Sequence, residues 1–172
     1  MARQRPLSSR PGDIAILLFF VLHIPITVLM DAQLLFPAWT AKNYPKPVIQ
    51  AALDYVKDTN DYLIMERQLW FISTLWCEMI VQFPFYLFLI HGLITDSKHV
   101  RTAGIIYGTH TCTILVPILY DMILNTNGIQ SASQRVQTIS IYSIWFFMPL
   151  VILYAMVFRT SGDVDRAKVK KQ

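Results

Sequence analysis

The chain has 172 residues, of which 54% are hydrophobic and 15% are charged, and its formal net charge is +4. An average soluble domain carries about 25% charged residues, so the composition excludes an ordinary soluble domain and indicates a polytopic membrane protein. The basic residues concentrate in the two tails and leave long uncharged segments between them. The positive charge therefore does not indicate nucleic-acid binding.

Four hydrophobic segments are each close to or above the ~20 residues that a helix needs to cross ~30 Å of hydrocarbon. Their approximate bounds are residues 14–31, 70–94, 102–124 and 136–158. The first segment is long for the core of a signal peptide, and His23 and Pro25 interrupt it. The sequence predicts an all-α fold, a four-helix transmembrane bundle that occupies residues 13–158.

The positions of Lys and Arg predict the orientation of the bundle. The N-terminal tail (residues 1–12), the tight loop between the second and third spans, and the C-terminal tail (residues 159–172) are all basic. With four spans these segments share one side, and an excess of Lys and Arg marks the cytosolic side. We expect both termini in the cytosol and the first loop, residues 32–69, in the lumen. The ending KVKKQ matches a K-x-K-x-x retrieval signal and indicates the endoplasmic reticulum membrane.

The first loop contains the segment PVIQAALDYV, residues 47–56, in which apolar residues recur at helical spacing. Pro45 and Pro47 are suitable helix starters. The pattern predicts a short amphipathic helix. Pattern alone leaves open whether this helix covers the lumenal mouth of the bundle or is a solvated surface helix.

Each predicted span contains an internal proline. These residues are Pro25, Pro84, Pro117 and Pro149. A proline removes one backbone hydrogen bond and bends its helix. One proline in every span predicts kinked helices that bow around an internal ligand cavity.

Polar residues form a stripe on each of the first two spans. His23, Thr27 and Asp31 follow one another at four-residue intervals, which places them on one side of a helix. The second span carries a similar stripe that includes Glu78 and Gln82. His23 and Glu78 each lie eight residues, or ~12 Å, from the lumenal end of their helix. We therefore expect the two stripes to face each other.

The acidic residues of these stripes have no basic partner within the predicted spans, which contain no Lys or Arg. A carboxylate at such a depth costs about 2.5–3.5 kcal/mol on insertion scales. Protonation, a proton shared between acids or an incoming cation would compensate this cost. A mid-span Glu78 therefore indicates a site, whereas Asp31 alone could be an interfacial residue and His23 a satisfied interior histidine.

We expect structural roles for the cysteines and for most aromatic residues of the spans. Cys77 and Cys112 lie inside spans, and the chain has neither a disulfide framework nor zinc-ligand spacing, so no metal or cofactor is predicted. A row of aromatic residues in the second span is interpreted as packing or lipid-facing. Its members are Trp76, Phe83, Phe85, Tyr86 and Phe88.

Five sequence motifs occur in register along the chain: HIPITVLMD, YVKDTND, WCEMIVQFPF, RTAGIIYGTHTCTILVPI and ISIY. In this order they resemble the EXPERA family, which includes emopamil-binding protein, over about residues 13–158. The resemblance implies a four-helix bundle in the endoplasmic reticulum membrane, with an occluded cavity that opens sideways to lipid. It also implies homodimers, sterol binding and a role in cholesterol homeostasis with a membrane-protein partner in cholesterol transport.

The resemblance also implies the ligand-binding residues. Asp31 matches the acid that pairs with a ligand's cationic amine, and Asp61 matches a second acid that supports it, although Asp58 is close enough to leave that assignment open. Glu78 matches the buried acid of the second helix. The remaining pocket residues are His23, Met30, Gln82, Tyr107, Tyr142 and Trp145. Trp145 and Ile114 stand where receptors of the family have tyrosine and threonine, so a different ligand preference is expected.

Two functions follow from this resemblance. The first is an intracellular membrane receptor that binds sterols or lipophilic cationic amines, with Asp31 as the counter-ion. The alternative is a sterol Δ8–Δ7 isomerase of the emopamil-binding protein type, in which Glu78, His23 and Asp31 move a proton within the sterol. A carbocation intermediate would then explain amine binding, because the amine mimics its charge. We favour the receptor, because the sequence resembles the family's receptors more than its isomerase.

Overall fold

The computed structural model describes residues 5–125 and 128–158, and in these ranges the regular secondary structure is helical. Four helical segments of 25 to 27 residues are long and apolar enough to cross a membrane. They are Pro11–Leu35, Leu69–Ile94, Val100–Leu124 and Ala132–Phe158. The predicted helical membrane bundle is thereby confirmed. The predicted basic C-terminal tail, residues 159–172, lies outside the described residues.

Each of the first two spans is built from two α-helices, each of the last two is a single α-helix, and further helices fill the first loop. In chain order the helices are α1 (Pro11–Ile26), α2 (Ala32–Leu35), α3 (Pro37–Asn43), α4 (Lys46–Thr59), α5 (Tyr62–Glu66), α6 (Leu69–Cys77), α7 (Phe83–Ile94), α8 (Val100–Leu124) and α9 (Ala132–Phe158). A π-helical turn, Thr27–Asp31, joins α1 to α2, and a second, Glu78–Gln82, joins α6 to α7. The helix predicted from PVIQAALDYV is confirmed as α4.

The predicted prolines lie inside the spans, and two of them neighbour the π-helical turns. Pro25 lies near the end of α1, two residues before the first turn, and Pro84 lies at the start of α7, just after the second. Because proline cannot donate a backbone hydrogen bond, it weakens the regular α-helical pattern beside it. A local change of helical pitch at these two places is the consequence.

Two apolar clusters fill the bundle. The basal cluster surrounds Phe20, Tyr86 and Tyr107 and continues to Met156, near the end of α9. The upper cluster lies toward the first loop, where α5, α6 and α8 meet. Its buried members are Tyr62, Leu63, Phe71, Leu75, Leu115, Ile118 and Met122. The candidate functional site described below lies where these clusters approach each other.

The helices α8 and α9 approach closely because α8 presents two glycines to α9. A Cβ atom built on Gly108 would lie 2.7 Å from the Leu153 Cβ and 2.9 Å from the Pro149 carbonyl oxygen. A Cβ atom on Gly104 would lie 2.6 Å from the Met156 Cγ. The four-residue glycine spacing, which often serves association of membrane helices, is used here for packing within the chain.

The segment of residues 5–10, called the strap, is tied to the loop between α7 and α8. The Arg5 side chain donates hydrogen bonds from Nε and Nη2 to the Asp96 carboxylate, at 3.2 and 3.1 Å. Arg10 is 6% exposed and donates to Asp13 at 2.7 Å and to the Leu93 carbonyl at 2.8 Å. The Arg5 hydrogen bonds hold the pKa of Asp96 below its ordinary value. The sequence indicated these arginines only as topology signals.

We expect Gly108→Ala to lower the thermal unfolding midpoint of the purified protein more than Gly104→Ala does. The Gly108 methyl group would meet backbone and Cβ atoms, whereas Met156 is a flexible side chain that can move. Overpacking of this kind costs about 1–3 kcal/mol. The measurement is differential scanning fluorimetry in detergent micelles. Gly12→Ala is the control, because no atom lies within 4 Å of its added methyl group; equal midpoints for Gly12→Ala and Gly108→Ala would contradict the proposed close packing.

Candidate functional site

A cavity of about 550 Å³ lies inside the bundle beneath α4. This volume is within the 300–1,000 Å³ typical of small-molecule sites. Most of its walls are apolar side chains of α6, α8 and α4. Seven of the nine predicted site residues line the cavity: His23, Met30, Asp31, Glu78, Gln82, Tyr142 and Trp145. The structure thus brings together residues that are up to 122 positions apart in the sequence, from His23 to Trp145 (145 − 23).

The two π-helical turns aim the polar stripes into the cavity. In an α-helix each residue advances the direction of its side chain by about 100°, so Asp31 would point about 80° away from His23. A π-helical turn, with its hydrogen bonds from residue i to i+5, holds more residues per turn and advances less per residue. The turn Thr27–Asp31 therefore returns Asp31 toward the side of His23. The turn Glu78–Gln82 acts in the same way on the second span.

The predicted facing of the two stripes is confirmed at Glu78. Its Oε1 atom accepts hydrogen bonds from the Thr27 hydroxyl at 2.8 Å and from the Tyr86 hydroxyl at 3.1 Å. The His23 Nε2 atom lies 3.4 Å from the same oxygen. These partners compensate the carboxyl group inside the membrane without any Lys or Arg.

The imidazole of His23 is held between two aromatic rings. Its centroid lies 4.8 Å from the Tyr86 ring and 4.3 Å from the Trp145 ring, and both pairs are stacked. The His23 ring is buried, so packing fixes its orientation toward Glu78. His23 is therefore a residue of the cavity wall with a defined partner, and Trp145 both packs against it and faces the cavity.

Tyr86 packs in the basal cluster, in agreement with its interpretation as a packing residue, and its hydroxyl group also joins the polar contacts around Glu78. It is fully buried, and its hydroxyl contacts Gln82 at 3.4 Å as well as Glu78. The Thr111 hydroxyl of α8 donates to the same Gln82 oxygen at 3.1 Å. The sequence contained a signal for this contact. Tyr86 follows Gln82 by four residues, as Gln82 follows Glu78, and therefore extends the polar stripe. Of the same aromatic row, Trp76 and Phe88 are exposed on the outside of the bundle.

Asp31 differs from Glu78 in its hydrogen bonds. Its carboxyl group lines the cavity, and among the described residues no side chain donates a hydrogen bond to it. The cavity wall also contains no Lys or Arg in this part of the chain. An acid without a donor, at the wall of an apolar cavity, is suited chemically to a ligand that supplies a hydrogen bond or a positive charge.

Asp61 does not line the cavity but supports two residues that do. Its carboxylate is fully buried and accepts hydrogen bonds from the Tyr55 hydroxyl at 3.1 Å and the Tyr142 hydroxyl at 3.0 Å. It also caps α5 by accepting from the Leu63 backbone N–H at 3.1 Å. Burial raises the pKa of Asp61, and these donors oppose that shift. The alternative acid, Asp58, is exposed on α4.

The helix α4 covers the cavity with its apolar face. Its cavity-lining residues are Ala52, Leu53, Tyr55 and Val56. This contact favours the covering role over the solvated surface helix. Gln33 donates to the Val48 carbonyl at 3.4 Å, while Gln134 donates to the Asp58 carbonyl at 3.0 Å, so both ends of α4 are tied to the spans. Tyr55 was missed as a site residue because only the position of α4 shows which face turns inward.

Tyr107 does not line the cavity. It is buried in the basal cluster, where its ring lies 5.0 Å from Phe20 and 5.6 Å from Tyr86. The cavity position on α8 is taken instead by Thr111, one helical turn nearer the first loop. Tyr107 therefore supports the site indirectly, by packing against Tyr86, whose hydroxyl group donates to Glu78. Ile114, which departs from the family pattern, does line the cavity.

The site combines an apolar volume, the Asp31 carboxyl group and a polar floor. The polar floor consists of Glu78 and its partners Thr27, Tyr86 and His23. Within residues 5–125 and 128–158, no three His, Cys, Asp or Glu side chains converge as metal ligands. The arrangement can hold a hydrophobic molecule and bind one polar or cationic group at Asp31. The floor could also exchange a proton with such a molecule, since Glu78, His23 and Tyr86 are in mutual contact.

Comparison of the amino-acid sequence with known proteins identifies the family of this chain. The chain is 31% identical over 176 aligned positions to sigma intracellular receptor 2 of Homo sapiens, covering 96% of this chain and 98% of that protein. It is 28% identical over 160 positions to the Xenopus tropicalis protein of the same name, covering 89% and 92%. It is 26% identical over 153 positions to efficient mitochondria targeting-associated protein 19 of Saccharomyces cerevisiae, covering 79% and 91%. The model of the EXPERA family (EXPanded EBP superfamily) matches residues 47–156, and the chain therefore belongs to that family.

Proposed function

We propose that the protein is an intracellular membrane receptor that binds sterols and lipophilic cationic amines in the cavity. The observation that carries this proposal is the unpartnered Asp31 carboxyl group in an otherwise apolar wall. A protonated amine beside a carboxylate gains several times more electrostatic energy in such surroundings than in water. The apolar body of the ligand fills the remaining volume and is driven there by the hydrophobic effect.

Aromatic residues of the cavity wall strengthen the case for a cationic ligand. Tyr142 and Trp145 both line the cavity, and a cation over their rings gains ~0.5–2 kcal/mol. Asp61 accepts the Tyr142 hydroxyl hydrogen bond and so fixes the orientation of that ring. Asp61 thereby supports the amine site without contacting the ligand.

A sterol fits the same site through its rigid apolar rings and its single hydroxyl group, which can donate a hydrogen bond to Asp31. The names of the curated relatives support an intracellular receptor. From the family resemblance we also propose residence in the endoplasmic reticulum membrane, cytosolic termini and homodimers. A role in cholesterol homeostasis, with a membrane-protein partner in cholesterol transport, belongs to the same proposal.

Asp31→Asn is expected to weaken binding of a tritiated lipophilic tertiary amine by at least about 30-fold. The change removes the charge but nearly preserves the shape, and loss of one partner of a buried charge pair costs about 2–5 kcal/mol. Binding to purified protein in nanodiscs measures the effect. Asp54→Asn is the matched control, because Asp54 is exposed on the outer face of α4 and bonds only to Gln50 among the described residues. Equal affinity of the folded Asp31→Asn variant and the wild type would remove Asp31 from the site.

The isomerase is the second candidate, and the polar floor favours it. Glu78 contacts His23 and Tyr86, so a proton could pass between an acid and a base within one cluster. A Δ8–Δ7 isomerisation needs one group to protonate the alkene and another to accept a proton. The receptor proposal assigns the same cluster a different role, which is to hold the floor of the cavity in place.

Incubation of the purified protein with a Δ8 sterol separates these two functions. We expect no conversion by the wild type, and we expect Glu78→Gln to retain amine binding within about tenfold, since the carbonyl oxygen of Gln can still accept from the Thr27 and Tyr86 hydroxyl groups. Gas chromatography of the sterols measures conversion. Glu66→Gln serves as the control because Glu66 is exposed in α5. Wild-type conversion that disappears in Glu78→Gln and persists in Glu66→Gln would establish the isomerase instead.

The proposed orientation is tested by cysteine labelling of sealed microsomes with a membrane-impermeant maleimide. In a variant without Cys77 and Cys112, we expect Lys98→Cys to be labelled and Lys57→Cys to be protected until the membrane is permeabilised. Both positions are exposed in the structure, so accessibility depends on the side of the membrane. The opposite labelling pattern would place the termini in the lumen.

A further inference from the structure

The strap presents one serine whose hydroxyl group is free. Ser8 is exposed, and its side chain has no hydrogen bond among the described residues. The neighbouring Ser9 differs, because its hydroxyl donates to the Pro6 carbonyl at 2.8 Å. The two adjacent serines therefore offer an internal comparison: one hydroxyl is available to an approaching enzyme, and the other already has an acceptor.

The residues that precede Ser8 are those that an arginine-directed protein kinase selects. The segment RQRPLS places Arg5 three residues and Arg3 five residues before Ser8. Kinases of this kind bind guanidinium groups at these two positions with acidic residues of their peptide groove, through charge-assisted hydrogen bonds. A motif with arginine at both positions is a more specific recognition signal than a tail that is merely basic.

The structure adds a constraint that the motif alone does not contain. Arg5 is already bound to Asp96, through its backbone N–H at 3.1 Å and through two side-chain hydrogen bonds. A guanidinium group that is occupied by Asp96 cannot also enter a kinase groove. Separation of Arg5 from Asp96 must therefore precede recognition of Ser8.

We propose that Ser8 is the phosphate acceptor of an arginine-directed serine/threonine kinase, and that the Arg5–Asp96 ion pair restricts access of the kinase. In the reaction the Ser8 Oγ atom attacks the γ-phosphorus of ATP. A new O–P bond forms while the bond from the γ-phosphorus to the β–γ bridging oxygen breaks, and ADP leaves with that electron pair. The hydroxyl proton passes to the catalytic base of the kinase.

The fold can accept the product. Ser8 lies two residues before Arg10, the N-cap of α1, so the phosphate enters near a helix N-terminus where negative charge is favourable. The phosphate carries about −1.5 to −2 charges at neutral pH and can pair with Arg5 in place of Asp96. Modification in a cell also requires a cytosolic N-terminus, so the proposal rests on the orientation proposed above but not on the ligand of the cavity.

The test uses the full-length chain in nanodiscs, the purified catalytic domain of an arginine-directed kinase, and ATP. Intact-protein mass spectrometry measures phosphate incorporation, and peptide fragmentation locates it. We expect one phosphate on Ser8 that is lost in Ser8→Ala and kept in Ser9→Ala. Asp96→Asn should raise the initial rate about two- to fivefold, the range for release of a partly exposed ion pair. The control Asp58→Asn, an exposed acid on α4, should leave the rate unchanged.

Several results would overturn the proposal. Absence of phosphate, or phosphate on Ser9 in the wild type, would remove Ser8 as the acceptor. An unchanged rate for Asp96→Asn, with a thermal unfolding midpoint equal to that of the wild type to show that the variant is folded, would remove the ion pair as the restriction. Kinase added to sealed microsomes should modify Ser8 from outside. Modification only after solubilisation would show a lumenal strap and overturn the cellular proposal, while leaving the cavity's function untouched.

Discussion

The arrangement of the bundle depends on keeping acidic side chains at membrane depth. A carboxyl group in hydrocarbon is costly unless donors surround it, and the protein meets this demand in two different ways. Glu78 receives its donors from Thr27 and Tyr86, with His23 beside it, so two spans are held together at one oxygen atom. Asp31 receives none from the described residues and lines the cavity. The same physical cost therefore produces a structural contact at one acid and, at the other, the ligand site that we propose.

A third acid, Asp61, holds the side chains around the cavity in fixed positions. Asp61 lies behind the wall and holds Tyr55 from α4 and Tyr142 from α9 by their hydroxyl groups. A covering helix and a span are thus joined through an acid that the ligand does not reach. Below the cavity, Tyr86 and Tyr107 pack against Phe20 and keep the floor in place. Binding energy is then not used to order these side chains, which favours affinity.

Much of this architecture could be predicted from hydrophobicity and spacing. The four apolar segments predicted the spans. The four-residue intervals predicted the contact of His23 with Glu78, because helical periodicity determines which residues share a face. The packing of Tyr86 was expected from its aromatic row, but its hydrogen bond to Glu78 was missed, although its spacing from Gln82 continues the stripe. Tyr55 and the strap could not be predicted. Their roles depend on how α4 and residues 5–10 fold back on the spans, and a local pattern does not encode such long-range contacts.

The two π-helical turns couple the length of the first two spans to their helical pitch during evolution. Each turn is equivalent to one extra residue inserted in an α-helix. Deletion of a single residue between Thr27 and Asp31 would restore a regular helix and place Asp31 seven residues after His23, about 20° from it around the helix axis. Both side chains would then stay on the same side of the helix. A regular helix at the present length would instead turn Asp31 about 80° away from His23. Homologous chains should therefore lose the turn only together with one residue, so that residue number, as much as residue type, defines the site.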